Sequence, residues 1–262
     1  MSDSLSLYND PMSDTNQYSS QFEEYATKKK AKGKARAARG GNAAGMQLRR
    51  IDPMTEAQGE VFHGYNTNLN MMLHGCAGTG KTFISSYLAI RDVMEKVDGK
   101  RSVHIVRSVV PTRDIGFLPG SEKEKTKVYE APYYSIFSEL FGRGDAYDIL
   151  KQKDMVKFTT TSFIRGLTID NAVVIVDECQ NLNFHELDSV ITRLGNNCRV
   201  IFCGDFLQSD FEKNKERQGI LDFMRIISGM ESFGFVEFSR SDIVRSDLVK
   251  EYICMKLDMG YH

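Results

Sequence analysis

Eight consecutive residues carry the clearest chemistry in this chain: Gly75-Cys76-Ala77-Gly78-Thr79-Gly80-Lys81-Thr82. Their spacing, Gly-x-x-x-x-Gly-Lys-Thr, is that of a phosphate-binding loop. Glycines admit backbone angles that turn successive amide N–H groups toward one point. A helix opening at Lys81 adds the positive end of its dipole. Gly75 to Phe83 are therefore expected to contact the phosphates of a nucleoside triphosphate. Lys81 is expected to reach the β and γ phosphates, and the Thr82 hydroxyl to hold Mg²⁺. The lysine–threonine ending separates the motif from the dinucleotide-binding Gly-x-Gly-x-x-Gly pattern.

A second stretch completes the logic. "VVIVDECQN", Val173 to Asn181, is an apolar run that ends in two acids. Asp177 is expected to hold Mg²⁺ through water, and Glu178 to polarise the attacking water. "CGDFLQSD" repeats the pattern and puts Asp205 and Gln208 in the loop beyond the next apolar run. A glutamine there can hydrogen-bond a γ-phosphate or its water. Gln58, in "MTEAQ", is a candidate for reading an adenine edge. Arg107, Arg113 and Arg165 lie in arginine- and glycine-rich stretches that follow two other apolar runs, where guanidinium groups suit phosphate or a nucleic-acid backbone.

These residues need a scaffold that delivers them to one place. Short apolar runs at 70–75, 102–108, 155–161, 171–178, 198–205 and 233–239 read as strands buried on both faces. The pattern from Met54 to Tyr65 is helical, and further helices are expected at about 81–96, 133–150, 184–194, 217–229 and 246–257. Alternation of this kind predicts an α/β doubly wound, mostly parallel sheet, with ligands at the carboxyl ends of the strands.

The chain has 262 residues, 41% of them hydrophobic, which suits one domain with a sizeable core plus tails. Residues 1–48 have few large apolar side chains and read as a disordered polar and basic tail, leaving 49–262 as the domain. Within the tail, "KKKAKGKARAARGG" (Lys28 to Gly41) carries positive charges and no negative one, although the net charge of the whole chain is −1. Such a run either docks on nucleic acid or is a solvated segment. The five cysteines are scattered and odd in number, so reduced thiols in the cytoplasm are expected. No apolar stretch approaches a membrane span, and no membrane partner is expected.

The chain resembles the PhoH-like family of ATPases from about Thr55 to about Tyr252. The resemblance is carried by "GCAGTGKT", "RSVVPTRDIGFLPGSEKEKTKVYEAPYY", "FIRGLTIDNAVVIVDECQN", "CGDFLQSD" and "SDIVRSDLV". Two departures are Val106-Arg107-Ser108 in place of threonine-arginine-proline, and Cys179 in place of alanine. The resemblance implies that the sheet is a RecA-like P-loop core related to superfamily 1 helicases, with ATP and Mg²⁺ as cofactors and ATP hydrolysis as the activity. It also implies a ring of subunits and action on RNA or single-stranded DNA. A chain of this length is expected to hold no second domain that could supply an arginine to the γ-phosphate. Arg245, with Arg240 as second choice, is therefore expected to lie away from its own phosphate loop and to reach a neighbour's ATP. Two alternatives stay open: a non-enzymatic assembly switch driven by ATP, and a nucleoside kinase, which also pairs a P-loop with an Asp-Glu-x-Gln strand end.

Overall fold

The computed structural model describes residues 46–108, 122–205 and 214–260, with only the course of the helix at 122–126 and 214–218. Among the described residues, six strands form one sheet: β1 (Asn70–Gly75), β2 (Ser102–Arg107), β3 (Val156–Thr160), β4 (Ala172–Asp177), β5 (Arg199–Cys203) and β6 (Phe233–Phe238). Their order is β3-β2-β4-β5-β1-β6, and every pairing is parallel. Every residue of β4 and β5 is buried. That is why these runs are apolar from Ala172 to Val176 and from Val200 to Cys203 rather than alternating.

Both faces of the sheet are covered. On one face Met71, Leu73, Val103, Ile105, Val173 and Ile175 share a core with α1 (Glu56–Asn66), α2 (Lys81–Met94), α3 (Glu122–Phe141) and α4 (Ala146–Gln152). On the other, Met72, Val174, Val176, Val200 and Phe202 meet α5 (Thr161–Ile164), α6 (Phe184–Ile191) and α7 (Asn214–Ser228). A last helix, α8 (Asp247–Asp258), follows β6 and buries no residue completely. Met46, read from the sequence as part of the tail, is buried in the first of these cores, and Leu48 packs against it.

The strand runs and most helices lie within a few residues of their expected positions. The helix expected over 133–150 is instead two. Gly142 takes a left-handed φ of 66°, and Arg143 closes the turn on Asp145 at 2.6 Å. The first of the pair also begins well before Pro132, which it carries in its interior. Proline there forfeits one backbone hydrogen bond without ending the helix. Among the described residues, no helix is long and apolar enough to cross a membrane.

Candidate functional site

β1, β2, β4 and β5 deliver their last residues to one edge, where a cleft of about 650 Å³ opens. Its floor is the loop between β1 and α2. Gly75, Gly78 and Gly80 all have positive φ, at 110°, 75° and 85°. At Gly75 the need for glycine is absolute: a Cβ would fall 2.1 Å from the carbonyl oxygen of Phe238. Ala77 to Ile84 line the cleft, so most of the predicted phosphate-binding run faces it, and Cys76 is buried beneath. Lys81 Nζ donates to the carbonyls of Gly75 (3.0 Å) and Cys76 (2.7 Å). Burial lowers the pKa of that ammonium, and Asp205 is the strongest influence in the opposite direction.

The two predicted metal-holding residues meet directly. Thr82 Oγ1 donates to Asp177 Oδ1 at 2.7 Å. Asp177 Oδ2 accepts from the hydroxyl of Tyr133 at 2.7 Å. Burial raises the pKa of the Asp177 carboxyl, while the Tyr133 hydrogen bond and then that of Thr82 pull it down. Burial also pushes the Tyr133 phenol well above its ordinary range, so it stays a donor. Hydroxyl and carboxylate oxygens are the donor types Mg²⁺ prefers, and Mg²⁺ commonly uses one or two carboxylates with substrate phosphates as co-ligands. Among the described residues, no cluster of three His, Cys, Asp or Glu side chains could hold a metal alone. The pair thus fits a cation shared with a nucleotide.

Beside this buried pair stands an open one. Glu178 follows β4 with φ 51°, a strained angle for a residue with a Cβ. Its Oε2 accepts from Gln180 Nε2 at 2.6 Å, and its Oε1 is 4.0 Å from Arg107 Nη2. The other end of the Gln180 amide accepts from the Asp205 N–H at 3.1 Å, which ties the ends of β4 and β5 together. Arg107, expected on nucleic acid, therefore lies in the cleft next to Glu178, with its guanidinium 6.0 Å from the Tyr129 ring.

Gln58 is buried in the cleft wall with its amide engaged at both ends. Oε1 accepts from the Met54 N–H (2.7 Å), and Nε2 donates to the Thr79 carbonyl (3.0 Å). It tethers the phosphate loop to the start of α1. Arg245 corrects the sequence reading. The expectation set it away from its own phosphate loop, yet the Val244 N–H donates to the Gly78 carbonyl at 3.0 Å and Arg245 lines the same cleft. A Cβ on Gly78 would touch the Arg245 side chain at 3.1 Å. The reason is sheet order: β6 lies directly beside β1, so the segment after β6 crosses the loop after β1. Arg240, the second choice, is paired with Asp258. Arg165 caps α5 on the surface, between exposed Phe163 and Leu167, and does not join the cleft. Gln208 and Arg113 lie outside the described residues.

Sequence reasoning missed Tyr133 and the bridging role of Gln180. Gln180 was visible as part of Asp-Glu-Cys-Gln, whereas nothing near Tyr133 in the sequence points to Asp177.

A family model described as PhoH-like protein matches residues 50–256. A PhoH-like protein of Bacillus subtilis (strain 168) is 30% identical over 219 residues, 81% of this chain and 65% of that one. Protein PhoH of Escherichia coli (strain K12) is 33% identical over 195 residues, 74% of this chain and 54% of that one. The chain thus spans between about half and two thirds of the length of these curated relatives. Among solved structures, the large terminase from a thermophilic bacteriophage aligns with a TM-score of 0.45 and 11% identity, over 77% of this chain and 50% of that one. The Pif1 helicase from Candida albicans aligns with a TM-score of 0.37 and 15% identity, over 80% and 44%.

Proposed function

We propose that this chain, which belongs to the PhoH-like protein family, is a Mg²⁺-dependent ATPase that acts on RNA or single-stranded DNA. The observation that carries the reading is the direct bond from Thr82 to Asp177, which joins the phosphate loop to the acidic strand end with Glu178 at the cleft beside them. ATP lies with its phosphates on Gly75–Thr82. Lys81 exchanges its loop carbonyls for the β and γ phosphates. Thr82 and Asp177 hold Mg²⁺, which supplies charge neutralisation on the phosphate oxygens. Glu178, aimed by Gln180, takes the proton of the attacking water. Arg245 and Arg107 face the charge that develops on the γ-phosphate from within the same subunit.

The nucleic-acid part of the reading draws support from the surface around α5, where Phe163 is 52% exposed beside Arg165 and Leu167. An exposed ring next to a guanidinium suits a stacked base and its phosphate. The ring assembly draws on the family resemblance, and the position of Arg245 adds nothing to it.

The test is ATP turnover with and without single-stranded RNA and DNA. Turnover stimulated by either polymer is expected. Tight ATP binding without turnover would favour the assembly switch, and transfer of the phosphoryl group to a nucleoside would favour the kinase. If the basic run at 28–41 contacts phosphates, deleting residues 1–45 lowers the salt slope of nucleic-acid binding by about one unit per lost contact. An unchanged slope returns that run to a solvated tail.

A further inference from the structure

We propose that Tyr133 is a positioning residue for the Mg²⁺ site: from the core beneath the cleft, its hydroxyl fixes the Asp177 carboxylate so that the other oxygen is held toward Thr82. The proposal rests on the reading of Thr82 and Asp177 as the residues that hold the cation.

Three features support it. The first is geometry: Tyr133 is fully buried, and its 2.7 Å bond goes to the Asp177 oxygen that Thr82 does not use. The second is the rigidity of the donor. The Tyr133 ring packs against Phe158 at 5.7 Å and Tyr147 at 6.5 Å between centroids, so the core sets the direction of the hydroxyl. A torsion of the Asp177 side chain would have to break that bond. The third is charge. A phenol donates a hydrogen bond while remaining neutral, so it orients the carboxylate without cancelling the negative charge a cation needs. An arginine or lysine in its place would compete with the metal.

The same helix turns Pro132, Ser135, Ile136 and Glu139 toward the cleft. One element, α3, therefore touches both the cleft wall and the carboxylate expected to hold the metal. A shift of α3 would be felt at Asp177 through Tyr133.

The experiment compares the full-length protein with Tyr133→Phe, which deletes one oxygen and keeps the ring. A fluorescent ATP analogue is titrated at increasing Mg²⁺ and again in EDTA, with thermal unfolding measured in parallel. Outer partners of metal ligands typically govern about 10-fold to 100-fold in metal affinity. The Mg²⁺ concentration for half-maximal tightening of nucleotide binding is expected to rise about 10-fold or more, with affinity in EDTA unchanged. In an Asp177→Asn background, Tyr133→Phe is expected to add almost nothing to the Mg²⁺ midpoint. A variant that melts lower but keeps the wild-type Mg²⁺ midpoint would make Tyr133 a packing residue and overturn the proposal. If nucleotide binding by the wild-type protein is itself indifferent to Mg²⁺, the assignment of Thr82 and Asp177 fails, and the proposal fails with it.

Discussion

The two sides of the cleft are built on opposite plans. On one side Thr82, Asp177 and Tyr133 form a chain of short hydrogen bonds, with Asp177 only 4% exposed and Tyr133 not exposed at all. On the other, Arg107 and Glu178 face each other at 4.0 Å with side chains 22% and 41% exposed, and Arg245 is exposed over the phosphate loop. The buried side is held by neutral hydroxyls around one carboxylate. The open side consists of full charges that water still reaches. A group that must not move gains from burial and saturated hydrogen bonds. A group that must answer a charge appearing on a ligand has to be reached by that ligand, and its field strengthens once the ligand displaces the water.

The open side should therefore break in rate, and the buried side in metal dependence. On the open side the largest effect is expected at Arg245. Arg245→Ala should retain ATP binding and lose turnover by a factor on the order of 10³, the lower range for an arginine that meets the γ-phosphate. Mixing Arg245→Ala with Lys81→Ala subunits tells own-subunit action from action on a neighbour. With Arg245 acting on its own loop, the mixture stays inactive, and recovered turnover would move the arginine to the neighbour's site.

Next in size is Glu178→Gln, for which a fall in kcat of about 10² with unchanged ATP affinity is expected. Normal turnover in that variant would remove Glu178 as the base. Asp177→Asn sharpens the contrast from the buried side. Burial makes the Asp177 charge costly, as the raised pKa of its carboxyl indicates. A neutral amide of the same shape relieves that cost, with one of the two hydroxyls, Thr82 or Tyr133, turning to accept from the new N–H. In the absence of nucleotide and metal the variant should melt higher than the wild-type protein. Mg²⁺-dependent turnover should be lost. A lower melting point would mean that the charged form of Asp177 is stabilising after all.

The smallest effect lies outside the cleft. His104, in β2, is held down to a pKa of about 4 by burial and then by Lys157. Its folded value lies below the ordinary 6.5, so the neutral ring favours the folded state. That contribution is complete above pH 6.5 and declines between 6.5 and about 4, as the unfolded chain takes up the proton. Relative to His104→Gln, the wild-type protein should lose on the order of 1 kcal/mol across that window, after allowing for the partial exposure of the ring. A constant difference across the window would contradict the shift.

The contrast also accounts for what the sequence made legible. The phosphate loop and the acidic strand end are local patterns. Gly75 to Thr82 and Val173 to Glu178 each carry their chemistry within one turn or one strand, so they could be read directly. The strand runs were legible because burial on both faces leaves an unbroken apolar signature. The Tyr133–Asp177 bond was not legible, because amphipathic spacing tells which face of a helix is buried and not which polar atom it meets. Arg245 was misplaced because its location follows from β6 lying beside β1, a fact of sheet order that no local pattern encodes. The break at Gly142 was missed because apolar residues resume on its far side in a helical rhythm.

Gly75 accepts its shape from Phe238: the carbonyl of Phe238 occupies the space a side chain would need, and the Cys76 N–H donates to that oxygen at 2.9 Å. The first glycine of the phosphate loop is thus moulded by a strand made much later in synthesis. At about 5–20 residues per second, roughly 10–30 s separate the emergence of the two segments from the ribosome. Over that interval the growing chain carries the whole motif without the neighbour that gives it form. The shape that Gly75 has here is therefore completed late in synthesis, when β6 docks beside β1.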